Sequence, residues 1–349
     1  MKKILFIIIV SFFSVILVNW FIIQQKSNTP SLKKVIPKEK PLLAYTFENL
    51  KKTIFPTNTF ILGKIITETP EIITQIFYFN VPDKPDSRNI LKVSGVINIP
   101  KNPGTYPIIV MFRGFIPEET YQPGAGTEHV AEVLAQNKFI TLAPDFLGFG
   151  ESSSPSKDSF EARFQTYTTA LTLFSSLPNF NTALDASYSA TIKADIDKVG
   201  IWAHSNGGHI ALSVLAISGS TYPTVLWAPV SKSFPYSILY YTDESDDQGK
   251  ALRKALALFE NDYDAQLFSP ERYYQWIKAP LSIHQGSTDR EVPISWSDDL
   301  VDELKKDDIK LEYIIYPGAD HNMLPTWSSV VKNSIVFYED KLNNSSTSK

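Results

Sequence analysis

Cysteine is absent from this chain of 349 residues. That excludes disulfides, thiolate nucleophiles, thiolate-held metals and any lipid attached through a cysteine near the N-terminus. Histidine is scarce, with five in all, and no pair of them stands one helical turn apart beside a carboxylate, so neither a metal site nor a cofactor is expected. An excess of positive charge is missing too. Lysine and arginine number 33 against 37 acidic residues, for a net charge of -4 and an isoelectric point near 5.8, which leaves no electrostatic footprint for a nucleic acid partner. No internal repeat is present.

Apolar residues make up 43% of the chain, enough for the core of one large α/β domain. Their longest run is at the start. Lys2 and Lys3 precede an apolar stretch from Ile4 to Ile23 broken only by Ser11, Ser14 and Asn19, and ~20 such residues span a bilayer. Trp20 falls near the outer end of the run, and Ile22-Ile23-Gln24-Gln25-Lys26 offers no small-residue cleavage site. Residues 1–24 are therefore expected to be an uncleaved single-helix membrane anchor, with the remainder extracytoplasmic. Residues 25–56, punctuated by Pro30, Pro37 and Pro41, read as a tether with one helical turn around Phe47–Lys52. A folded domain over 57–340 and a polar tail over 341–349 complete the organisation.

Within the domain, Ile72–Phe79 and Leu91–Pro100 carry the alternation of antiparallel edge strands, whereas Pro107–Phe112 is apolar throughout, as in a strand covered on both faces. Helical and strand patterns then alternate to Tyr338. That rhythm predicts a mostly parallel central sheet with helices on both faces. The interval 231–278 interrupts it with amphipathic pieces, notably Gly249–Glu260 and Pro270–Trp276, and reads as a small helical cap insertion that either covers the mouth of the sheet or lies flat on the domain.

Chemistry concentrates just after three of the strands. Val199-Gly200-Ile201-Trp202-Ala203-His204-Ser205-Asn206-Gly207-Gly208 runs a short strand into a small-residue turn and then a helix, the pattern of a nucleophile elbow that lifts a serine hydroxyl out of the sheet. Ala203 stands where that motif usually has glycine. A reactive serine needs a base and an acid to orient it, and in a sheet of this kind they follow in the order serine, acid, histidine. Asp289 comes after the strand Leu281–His284, and His321 after the strand ending at Tyr316. Asp320 is the rival acid, but neighbouring side chains on a turn diverge, which favours Asp289. His129, His204, His209 and His284 lack the loop position that a base requires.

These motifs together, with Pro144-Asp145-Phe146-Leu147-Gly148-Phe149-Gly150 after another strand, make the chain from Ile72 to Tyr338 resemble the α/β-hydrolase fold. The similarity is greatest to the catalytic domain of the prolyl oligopeptidase family (peptidase S9) and its dienelactone-hydrolase-like esterase relatives. The resemblance implies a serine hydrolase that cleaves an ester or a peptide bond through an acyl-enzyme. Ser205 would be the nucleophile, His321 the base and Asp289 the orienting acid, acting on a small-molecule ester or short peptide. It also implies an oxyanion hole from the backbone N–H groups of Asn206 and Phe115. Relatives often carry His-Gly where this chain has Arg113-Gly114, and an arginine there either recognises a substrate carboxylate or pairs with Asp145 or Glu118. The stretch between the apolar run and Ile72 is too short for the propeller of a true oligopeptidase, which needs several blades of roughly 40–45 residues. The competing expectation is a membrane-anchored binding protein that keeps the fold without the catalysis.

Overall fold

The computed structural model describes residues 39–188, 191–242 and 247–343. The expected anchor, residues 25–38 of the expected tether and the end of the tail lie outside them. Nine strands form one sheet: β1 (Ile61–Glu68), β2 (Ile72–Pro82), β3 (Ile90–Pro100), β4 (Gly104–Phe112), β5 (Ile140–Pro144), β6 (Ile192–His204), β7 (Thr224–Trp227), β8 (Leu281–Gly286) and β9 (Leu311–Tyr316). Their order is β1-β2-β3-β5-β4-β6-β7-β8-β9. Pairing is antiparallel from β1 to β5 and parallel from β5 onward. This is the α/β-hydrolase fold.

The apolar run of β4 explains itself in this setting. Ile108, Val110 and Phe112 enter the core on one face of the sheet and Ile109 and Met111 the core on the other, as the two-residue period of a strand requires. Nine helices occur among the described residues: α1 (Phe47–Leu50), α2 (Glu128–Gln136), α3 (Ser159–Ser176), α4 (Phe180–Tyr188), α5 (Asn206–Ser218), α6 (Tyr236–Leu239), α7 (Lys250–Glu260), α8 (Ile294–Lys306) and α9 (Trp327–Asn343). Helices α3 and α5 line the first core, α2 and α9 the second. Helix α3 begins on an Asp158 cap that accepts from the N–H groups of Phe160 and Glu161, satisfying two of its unpaired first-turn donors.

The expected tether ends earlier than its composition indicated. A 3₁₀ turn at Pro41–Tyr45 and helix α1 already belong to the folded unit, with Tyr45, Phe47 and Leu50 buried. Phe47 stacks on Tyr273 with ring centroids 5.3 Å apart and meets Tyr167 edge-on. Proline spacing resembles a linker, yet three large apolar side chains within six residues outweigh it, because burying each favours order by ~1.5–3 kcal/mol. Strand β1 escapes the sequence reading because it is an exposed edge interrupted by Gly63 and Lys64.

Among its described residues the 231–278 insertion is helical, with α6, α7 and two 3₁₀ segments. Its Phe234, Phe259 and Phe268 pack on Phe160 and Phe164 of α3, the tightest pair being Phe164–Phe268 at 4.7 Å. Most of its apolar surface is thus spent on the domain itself. Tyr236, Tyr240 and Tyr241 gather elsewhere, around Trp296 of α8.

Candidate active site

Strand β6 delivers Ser205 to the carboxyl edge of the sheet, and the chain turns directly into α5. Ser205 holds φ 55° and ψ -122°, a conformation an L residue keeps only when its surroundings enforce it. The enforcement is visible: its N–H donates to the Trp227 carbonyl at 3.0 Å, and its own carbonyl accepts from Gly208 and Val230 at 2.9 Å each. Close approach does the rest. A Cβ on Gly207 would lie 2.0 Å from the Phe112 carbonyl oxygen, so any other residue would push α5 off β4. Ala203, in the place of the usual glycine, is fully buried and fits without a gap in the strand.

Asp289 and His321 come from the loops after β8 and β9. His321 Nδ1 is 2.9 Å from Asp289 Oδ2. The carboxylate is completely buried and fully engaged: Oδ1 accepts from the N–H groups of Glu291 and Val292, and Oδ2 also accepts from Gln285 Nε2 at 3.1 Å. Four donors around one ionised acid fix its orientation. Asp320 turns instead to its own loop, accepting from the Asn322 and Leu324 amides. Of the two carboxylates, Asp289 is the one that meets the imidazole.

His321 also lies against the elbow. Its carbonyl is 2.9 Å from His204 Nε2, and the two rings sit 4.6 Å apart. Burial, helped by the neighbouring His321, pushes the His204 pKa down to about 4, so His204 is a neutral strut that donates to the His321 carbonyl. Set aside as a base because of its position, His204 makes this contact all the same, and the only advance signal of it is adjacency to Ser205. Neither Ser205 Oγ nor His321 Nε2 has a hydrogen-bond partner among the described residues.

The backbone N–H groups of Phe115 and Asn206 likewise have no acceptor among the described residues. Gly114, which precedes Phe115, faces Ser205: a Cβ there would lie 3.0 Å from Ser205 Cβ and 3.5 Å from Oγ. The Phe115 side chain is 79% exposed, so only its backbone is held by the fold. Arg113 does not form the expected ion pair with Asp145 or Glu118. The carboxylate of Asp145 is taken by Ser94 Oγ at 2.5 Å and Tyr121 Oη at 2.6 Å. Beside this rim, a cavity of about 590 Å³ is lined by Trp202, Trp227 and Trp327 together with His204 and Asn322.

His209 is buried on Tyr167 Oη at 3.0 Å, and His284 lies inside β8. No cluster of three or more metal-ligating side chains occurs among the described residues.

A model of the prolyl oligopeptidase family matches residues 127–344, more than half of the chain. No curated protein matches the sequence. Among solved structures, acetyl xylan esterase 1 from Thermoanaerobacterium is similar at 14% identity with a TM-score of 0.59, covering 86% of this chain and 94% of that one. A putative dipeptidyl aminopeptidase IV from Bacteroides ovatus is similar at 14% identity and 0.53, over 76% of this chain but 36% of its own. A puromycin-hydrolysing peptidase of Mycobacterium tuberculosis is similar at 13% identity and 0.51, over 79% of this chain and 49% of its own. At these identities the structural likeness speaks to the fold.

Proposed function

This chain belongs to the prolyl oligopeptidase family and is a serine hydrolase, and from that premise we propose that Ser205, His321 and Asp289 form its catalytic triad. The observation that supports this most is the orientation of His321. One ring nitrogen faces a buried carboxylate and the other has no partner among the described residues, next to a serine held in a strained turn. In this reading Ser205 Oγ attacks a carbonyl carbon while His321 Nε2 takes its proton. The Asp289 carboxylate keeps the proton on Nδ1 and stabilises the imidazolium. The oxyanion accepts from the Phe115 and Asn206 amides, the leaving group departs with the proton from His321, and water resolves the acyl-enzyme by the reverse relay. No cofactor enters these steps.

The substrate is a small ester or a short peptide. Wild-type protein should react with a fluorophosphonate probe and Ser205→Ala should not. Labelling that persists in the alanine variant would remove the assignment. A screen of p-nitrophenyl esters against aminoacyl-p-nitroanilides then separates esterase from peptidase.

The apolar run Ile4–Ile23 supports a membrane-anchored enzyme with an extracytoplasmic active site. The full chain should stay in the membrane fraction after an alkaline wash and retain its first residues. Recovery of a soluble species starting near Asn28 would show a cleaved leader instead.

A further inference from the structure

Arg113 is only 7% exposed, and an arginine so placed is costly to desolvate unless its donors are used. Burial indeed lowers its pKa. Its Nη1 donates to the Gly114 carbonyl at 3.0 Å and its Nη2 to the Asp145 carbonyl at 3.3 Å. The guanidinium carbon lies 4.5 Å from the ring of Tyr121 and 4.2 Å from that of Phe149, in the corner made by these two edge-on rings. Both terminal nitrogens are on backbone carbonyls, two rings pack on the group, and Nε is buried with no partner among the described residues, so the guanidinium is not presented to a substrate carboxylate.

The Gly114 carbonyl belongs to the same peptide unit as the Phe115 N–H. In a planar trans peptide these two groups point in opposite directions. A hydrogen bond that draws the carbonyl towards Arg113 therefore turns the amide away from it, and the side of Gly114 on which a Cβ would stand faces Ser205. We propose that Arg113 is a positioning residue for the oxyanion hole: its guanidinium fixes the Gly114–Phe115 peptide with the N–H facing the reacting carbonyl, and ties that peptide to the Asp145 backbone.

This inference rests on the serine-hydrolase mechanism above and adds to it a reason for arginine. Neither a histidine nor a lysine offers a planar fork that reaches two carbonyls while packing against two rings. Tyr121 and Asp145 serve the arrangement indirectly. The Tyr121 hydroxyl donates to Asp145 Oδ1, and Ser94 holds Oδ2, so the carboxylate is occupied and the guanidinium stays on the carbonyls.

Arg113→Met keeps the stem and removes the donors. On a p-nitrophenyl ester it should lower kcat by about 10²–10³, the usual effect of losing one oxyanion donor, with KM within about threefold because ground-state binding is untouched. The Ki of a trifluoromethyl ketone, whose adduct carries the oxyanion, should rise by a similar factor. Arg113→Lys, which reaches one carbonyl at most, should fall between the two, and it carries the test if Arg113→Met does not fold. Leu304→Ala, which opens a cavity in the core under α8, is the control for mere loosening: it should lower Tm while leaving kcat in place. Unchanged kcat in Arg113→Met, or an equal loss of kcat in Leu304→Ala at matched Tm, overturns the positioning role while Ser205→Ala remains inactive. Activity that survives Ser205→Ala overturns the mechanism beneath it.

Discussion

Strands β8 and β9 carry two histidine networks a few residues apart, and the two have opposite character. Inside the sheet, His284 Nε2 donates to Ser282 Oγ at 2.9 Å, and that hydroxyl donates to Glu312 at 2.6 Å. On the other side of the ring, Asn333 donates to Tyr316 Oη, which donates to His284 Nδ1 at 2.8 Å. Every donor has an acceptor, provided that the imidazole is neutral, and no nitrogen is left over. Just beyond the strand ends, Asp289 and His321 form a similar contact at 2.9 Å, but there the second nitrogen has no partner among the described residues and the side chain is 16% exposed. A closed network stabilises; an open one has a proton site left to offer. The difference is position relative to the last residue of the strand.

Substitutions should separate the two. His321→Ala should lower turnover by about 10⁴-fold or more while leaving Tm within a few degrees, and Asp289→Asn should follow with a loss near 10⁴-fold through the wrong imidazole tautomer. Steady-state kinetics on one ester substrate, alongside thermal melts, reads both. His284→Ala should do the reverse. It strands the Tyr316 and Ser282 hydroxyls beside a new cavity, so urea titration should show a loss of roughly 2–4 kcal/mol, with kcat changed by less than about threefold in the folded protein. If His284→Ala abolishes turnover at full stability, or His321→Ala unfolds the protein without affecting the chemistry of what remains, the contrast between open and closed networks is wrong.

Much of this was legible in the chain. The two-sided burial of β4 follows from an unbroken apolar run, and the alternation of elements after it dictates a parallel sheet, because each crossover needs a helix. Ser205, Asp289 and His321 stand out because polar, reactive residues directly after apolar strands have no packing reason to be there. What the chain conceals depends on distant partners. Arg113 draws its environment from Ser94, Tyr121, Asp145 and Phe149, on three separate segments, and no local pattern announces that its donors go to carbonyls. The burial of Phe47 depends on Tyr273, some two hundred positions away. The strand β1 is exposed along most of its length and so lacks the hydrophobic signature that identifies its neighbours.

The smallest expected effect is the most specific to the closed network. Burial pushes the His284 pKa from 6.5 down to about 3, so between those limits the unfolded chain binds a proton that the folded one refuses. Stability is then greatest above about pH 6.5 and declines as pH falls towards 3, because acid favours the state that takes up the proton. His204 and His209 are depressed by burial in the same direction, so the wild-type slope alone does not isolate His284. His284→Gln keeps a donor and an acceptor but does not titrate. Urea titrations of both proteins at pH 7.5 and pH 5 should show the wild type losing about 2 kcal/mol more than the variant over that interval. Equal losses would mean that His284 is already protonated in the fold, in which case Tyr316 must give up its donation to Nδ1 and the network is no more closed than the one at the rim.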